Sequence, residues 1–275
     1  HDEPAAVLVP LLGLAGEVGE LLSEYKKHLR DEKGYRVFTD RVVEELGDLL
    51  WYLTDVATHF GIDLEDVARA NLEKTRGRWL IESQHRAQRF DARFPESERF
   101  PDEYHLMIRP VIREPGQVEI LIDGDKVGDS LTDNAAVPDD YRFHDVLHHA
   151  FAAVLGWSPV LRALLRRKRK SDRMIDEVED GGRAAAIEEG VIACIFPHAE
   201  AHSFYASATS VDSRLLRTVK MMTENLEVGS RTLGEWESAI LQGFAVWRAL
   251  MQHGSGRIKV DLEARQLTYL GPVIE

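Results

Sequence analysis

The sequence predicts a mainly α chain: an N-terminal all-α helical bundle over residues 1–80, then an α+β domain with a small antiparallel sheet over residues 104–275. Two observations carry this. Apolar residues recur every three to four positions from about Ala6 to Leu80, the period of amphipathic helices. Beyond a polar stretch, residues 81–103, strict alternation with glycine-bearing turns replaces that period and marks short antiparallel strands. A length of 275 residues suits two ordinary domains, either able to bury a core.

Each element follows in order. The first helix carries Leu11, Leu14, Val18, Leu21 and Leu22, and "DEKGY" stops it, with Gly34 as the expected C-terminal cap. A second opens near Thr39 or Asp40 as N-cap and runs through Val42, Val43, Leu46, Leu49, Leu50 and Leu53 to Phe60 and Gly61. A third starts at Asp63 and reaches about Arg76; short turns between such helices suit an antiparallel bundle. Residues 81–103, rich in Arg, Glu, Pro and Asp, read as a linker or a wrapping segment. "YHLMIRPVIRE", "GQVEILIDGDKVGDSL" and "GRIKVDLEARQLTYLG" alternate as strands, and helices are expected over about 140–168, 182–207, 212–227 and 232–253. The stretches 140–170 and 184–204 faintly echo the first two helices, as a diverged repeat would.

Composition narrows the function classes. Hydrophobic residues at 44% and charged residues at 29% are ordinary for a globular protein. No apolar run approaches the ~20 residues of a membrane helix, and no secretory pattern follows the opening "HDEP", which reads as a trimmed start. The single cysteine, Cys194, excludes an intramolecular disulfide and fits a reducing, cytoplasmic setting. A net charge of −13 opposes bulk nucleic-acid binding. The run "RRKRK", 166–170, stands against it, as a solvated helix end or as a site for phosphate, RNA or an acidic partner.

The chemistry concentrates in acids. Glu17 with Glu20, and Glu45 with Asp48, stand three apart, so each pair shares one helical face. Apolar neighbours flank both pairs, and Gly13, Gly16, Gly19 and Gly47 lie beside them. Carboxylates converging at such a border repel one another unless a cation sits among them. Magnesium, a hard ion that prefers oxygen, is the expected occupant, with manganese as its substitute.

"GLAGEVGELLSEYKKH", then "VVEELGDLLWYL" and "ANLEKTRGR", resemble the MazG-type nucleoside triphosphate pyrophosphohydrolases of the all-α NTP-pyrophosphatase superfamily, over about residues 5–80. The resemblance implies magnesium-dependent cleavage of a (deoxy)nucleoside triphosphate to the monophosphate and pyrophosphate. It makes Glu17, Glu20, Glu45 and Asp48 metal ligands and Glu44, with Glu45, the group that handles the attacking water. Lys26, Lys27, Tyr52, Asn71, Lys74 and Arg78 become substrate contacts, and Trp51 or Trp79 a base-stacking ring. It also implies a homodimer or higher homo-oligomer, since three helices leave an apolar face to cover. A nucleotide-sensing or partner-binding module is the alternative.

The second region offers histidines instead. His144 and His148 stand one helical turn apart, as do His198 and His202, and Glu188, Glu189 and Glu200 supply acids. His144, His148, Glu188 and Glu189 are the candidate set for a second, metal-dependent hydrolase site. His144 and Asp145 are also similar to the doublet of HD-type phosphohydrolases, without that family's separate histidine and aspartate. Packing with backbone hydrogen bonds is the other reading of such pairs.

Overall fold

Helix α1, Pro4–Asp31, begins the first of two units in this computed structural model, which describes residues 4–79 and 89–273, with side chains for 6–72 and 89–273. Residues His1–Arg76 form one compact unit and Gly77–Glu275 the other. In the first, α2, Phe38–His59, folds back beside α1, and α3, Leu64–Trp79, follows the Gly61 turn. Gly61 has φ +64°, a left-handed conformation that glycine adopts without a side-chain clash. Asp63 accepts the Glu65 N–H at 2.7 Å and starts α3 as expected.

Two expected caps are not used. α1 stops at Asp31 and tightens into a 3-10 turn over Glu32–Gly34, in which Glu32 rather than Gly34 takes positive φ. α2 starts one residue before Thr39, from Val37, with no side-chain cap. Neither the 3-10 turn nor the start of α2 carries a side-chain cap.

Few described residues of this unit are buried: Pro10, Glu24 and Ala57. Leu8, Leu12, Val18, Leu22, Val43, Leu46, Leu50 and Trp51 are all exposed, Trp51 by 73%. One expectation is revised accordingly. By length and composition alone, Ala6–Gly34 is apolar enough to cross a membrane, with a mean hydropathy of 1.6 in its most apolar window. Glu17 and Glu20 interrupt that stretch, so it shows no unbroken apolar run.

The second unit packs helices on one face of a sheet. β1 (Glu103–Pro110), β2 (Val118–Ile122), β3 (Asp125–Leu131), β4 (Gly256–Asp261) and β5 (Gln266–Gly271) lie in the order β3-β2-β1-β4-β5. Every pair is antiparallel. Tyr104, Leu106 and Ile108 of β1 alternate inward with Val118, Ile120, Ile258 and Val260, as the sequence pattern requires. Asp123 and Gly124, both at positive φ, close the β2–β3 hairpin in two residues, as a turn of the favoured hand does.

The helices are α4 (Asp145–Leu155), α5 (Pro159–Leu164), α6 (Arg173–Val178), α7 (Gly182–Ala201), α8 (Ser213–Thr223) and α9 (Leu233–His253). The single helix expected over 140–168 is two, because Gly156 turns the chain at φ +68° and Ser158 caps α5. α6 was not foreseen. Thr232 and Glu235 form a capping box at the start of α9. α4 packs most extensively along α9, where Gly243 admits Leu147: an added Cβ would lie 2.4 Å from the Leu147 Cδ2. Trp157, Trp236, Trp247, Phe151 and Phe244 fill the core.

The described part of the 81–103 segment wraps this unit. Phe94 and Phe100 are buried, and Asp91 accepts the Phe100 N–H at 2.8 Å and the Arg162 Nη2–H at 3.1 Å. The basic run 166–170 is neither a helix end nor wholly solvated. Arg169 is buried against Asp180 and Glu227, and Arg167 Nη1 donates to the Glu96 carbonyl at 3.0 Å.

Candidate active site

α1 and α2 run antiparallel, so the acids of one face those of the other. One carboxylate oxygen each from Glu17, Glu45 and Asp48 lies within 4.8 Å of the other two. Glu20 stays outside that triad and exposed, although its charge still acts on Glu45. Partial desolvation, then the charges of Glu17, Glu20, Glu44 and Asp48, push the Glu45 carboxyl above its ordinary value. Among the described residues no lysine, arginine or histidine forms an ion pair with Glu17, Glu45 or Asp48. The donor set is carboxylate oxygen throughout, which fits a hard divalent cation better than a soft one.

Packing at both ends keeps the pairs opposed. Toward the start of α1, the Tyr52 ring lies so close to Gly13 that an added Cβ would fall 2.3 Å from it. Toward the α1–α2 turn, Glu24 accepts from Lys27 Nζ at 2.5 Å and from the Tyr35 hydroxyl. These two bonds, Lys27 first, hold the Glu24 carboxyl below its ordinary value. Sequence reasoning missed Glu24, though its place four residues after Glu20 continues the acidic stripe.

The other expected site residues divide. Glu44 accepts from Arg41 Nη1 at 2.5 Å and does not belong to the triad. Lys27 is engaged by Glu24, Lys26 is exposed, and Tyr52 is half-buried against Gly13. Asn71 is exposed on α3, while the side chains of Lys74, Arg78 and Trp79 lie outside the described residues.

In the second unit, His148 Nδ1 lies 2.7 Å from Glu188 Oε1, and Glu188 Oε2 accepts the Val160 N–H at 2.9 Å. Each Glu188 oxygen therefore meets one partner, and the carboxylate holds the His148 ring. Burial disfavours charge on the His148 ring, but Glu188 and then Glu189 outweigh it and raise its pKa. His198 and His202 are a packed pair: their rings stack at 4.2 Å, and His198 Nδ1 meets the Tyr205 hydroxyl at 2.8 Å.

Antiparallel helices that bring Glu17 against Glu45 and Asp48 define an all-α unit with an acidic cluster between its first two helices. The chain belongs to the MazG family: residues 8–79 match the MazG nucleotide pyrophosphohydrolase domain and residues 85–272 the MazG C-terminal domain. Membership supports nucleotide pyrophosphohydrolysis as the general activity and a divalent metal as its general requirement. The chain is 38% identical over 69 residues to the Gene 37 protein of Mycobacterium phage L5. That alignment takes in 24% of this chain and spans 60% of the phage protein's length. No solved structure matches the chain.

Proposed function

We propose that the chain hydrolyses a (deoxy)nucleoside triphosphate to the monophosphate and pyrophosphate, with magnesium as its ion and manganese as a substitute. The observation that carries this is the convergence of Glu17, Glu45 and Asp48 without a cation partner, in a domain of the MazG family. Glu17, Glu45 and Asp48 would hold the ion, with Glu20 reaching it from one turn along α1. Bound there, a divalent cation neutralises phosphate charge and makes a coordinated water more acidic.

The chain supplies the rest. Water oxygen bonds to the α-phosphorus, the bond from that phosphorus to the bridging oxygen breaks, and pyrophosphate departs. Glu44, next in the chain to Glu45, accepts the water proton. Lys26 on α1, with Asn71, Lys74 and Arg78 on α3, offers hydrogen-bond donors to the phosphates, and Tyr52 a hydroxyl. Lys27 contributes by holding Glu24 rather than by meeting substrate. The exposed apolar faces of α1 and α2 are covered by a second copy, giving a homodimer or larger assembly in the cytoplasm.

The test is to incubate the full chain with Mg2+ and a panel of canonical and modified triphosphates, following pyrophosphate and monophosphate together. Glu45→Gln abolishes turnover while far-UV circular dichroism stays native. Equal pyrophosphate release by wild type and Glu45→Gln, or release of orthophosphate and diphosphate, would overturn the reading. Binding without turnover overturns it too, in favour of a nucleotide sensor.

A further inference from the structure

Nothing in the proposed reaction uses the histidine cluster of the second unit. Where the turn Tyr141–Phe143 enters α4, His144, Asp145 and His148 each bring one donor atom within 4.8 Å of the other two. His144 Nε2 lies 3.2 Å from Asp145 Oδ1. All three are withdrawn from solvent: the side chains of His144 and Asp145 are 11% and 14% exposed, and that of His148 is 1% exposed.

Both rings are gripped by the same nitrogen. His148 Nδ1 meets the Glu188 carboxylate at 2.7 Å, and His144 Nδ1 lies 2.9 Å from the Tyr141 carbonyl oxygen. A carboxylate and a carbonyl accept hydrogen bonds, so each Nδ1 donates and each Nε2 is left to face another partner. The buried His148 Nε2 has no hydrogen-bond partner, and its closest acid, Glu189 Oε1, stands 3.4 Å away. The Tyr141 ring, stacked on His144 at 4.3 Å, keeps that ring from swinging out.

We propose that His144, Asp145 and His148 hold one divalent transition-metal ion, through both Nε2 atoms and the Asp145 carboxylate. Glu188 and the Tyr141 carbonyl are the positioning groups, each fixing the orientation of one ring as carboxylate–histidine–metal arrangements do. Two imidazoles and one carboxylate select zinc, manganese or ferrous iron, whereas the all-carboxylate cluster of the first unit suits magnesium. The two sites therefore take different ions. Three protein ligands leave a coordination position open for water or for Glu189, the pattern of a reactive rather than a closed structural site.

The test uses the full chain, stripped by chelation and titrated with Co2+ in an excess of Mg2+, with visible absorption reporting nitrogen and oxygen ligation. Wild type takes up one equivalent of Co2+ and develops its bands. His144→Ala and Asp145→Asn, near the surface and checked for native circular dichroism, abolish them; Glu188→Gln weakens binding about 10- to 100-fold. Glu45→Gln leaves the bands unchanged, which separates this site from the triphosphate site. Absence of Co2+ uptake by wild type, or uptake unaltered by His144→Ala, would overturn the proposal and leave His148 as a ring bridging two glutamates.

Discussion

Asp180→Ala probes the ion network that the basic run hides. Asp180 is wholly buried, and its Oδ1 accepts from Arg169 Nη2 at 2.6 Å while its Oδ2 accepts the Arg169 backbone N–H at 2.7 Å. Arg162 Nε lies 3.6 Å from the same carboxylate. Removing it leaves two buried guanidinium groups short of countercharge, a change that costs about 3–5 kcal/mol. Arg169 keeps Glu227, at 2.7 and 2.9 Å, and Arg162 keeps Asp91, so the lower end, about 3 kcal/mol, is expected. For a folding unit of this size that lowers Tm by about 6–12 °C, read by circular dichroism with a urea series as the equilibrium check. Lys170→Ala, at an exposed position of the same run, changes stability by less than about 0.5 kcal/mol. A loss for Asp180→Ala as small as that for Lys170→Ala would refute the argument that this run is anchored inside.

Two further outcomes follow from the packing and charge of the second unit. Gly243→Val puts a branched side chain where even a Cβ would meet Leu147 at 2.4 Å and Ala150 at 3.3 Å, so it destabilises by about 2–3 kcal/mol; an unchanged urea midpoint refutes this. Burial alone would raise the Asp91 carboxyl, but Arg89, the Phe100 N–H and Arg162 outweigh it and hold it below its ordinary value. The stability Asp91 contributes is therefore complete above about pH 4 and is lost as pH falls through its folded-state value. Asp91→Asn should be less stable at neutral pH but lose less on acidification, and parallel urea midpoints against pH for the two proteins would contradict this.

Much of the candidate site was legible because its signals are local. Spacing of three within a helix places Glu17 beside Glu20 and Glu45 beside Asp48 whatever the rest of the chain does. The strands were equally readable, since inward Tyr104, Leu106 and Ile108 and the Asp123–Gly124 turn lie in one continuous stretch. Helix ends were read less well: Gly34, Thr39 and Asp40 have the right chemistry for caps, but α1 ends and α2 begins without using it.

The sequence by itself determined the succession of helices and strands, the acidic faces and the family resemblance, because residues a few positions apart have their relative placement fixed by the helix or strand they share. The tertiary structure decided which charged groups are spent on one another. Arg169 finds Glu227 across 58 residues, and Glu188 meets His148 across 40. Such partners are chosen by the folding of distant segments onto one core, where a buried charge must be met by whatever lies opposite. No local period encodes that opposition: helical spacing already sets His144, Asp145 and His148 on one turn, but only the assembled unit brings Glu188 against His148.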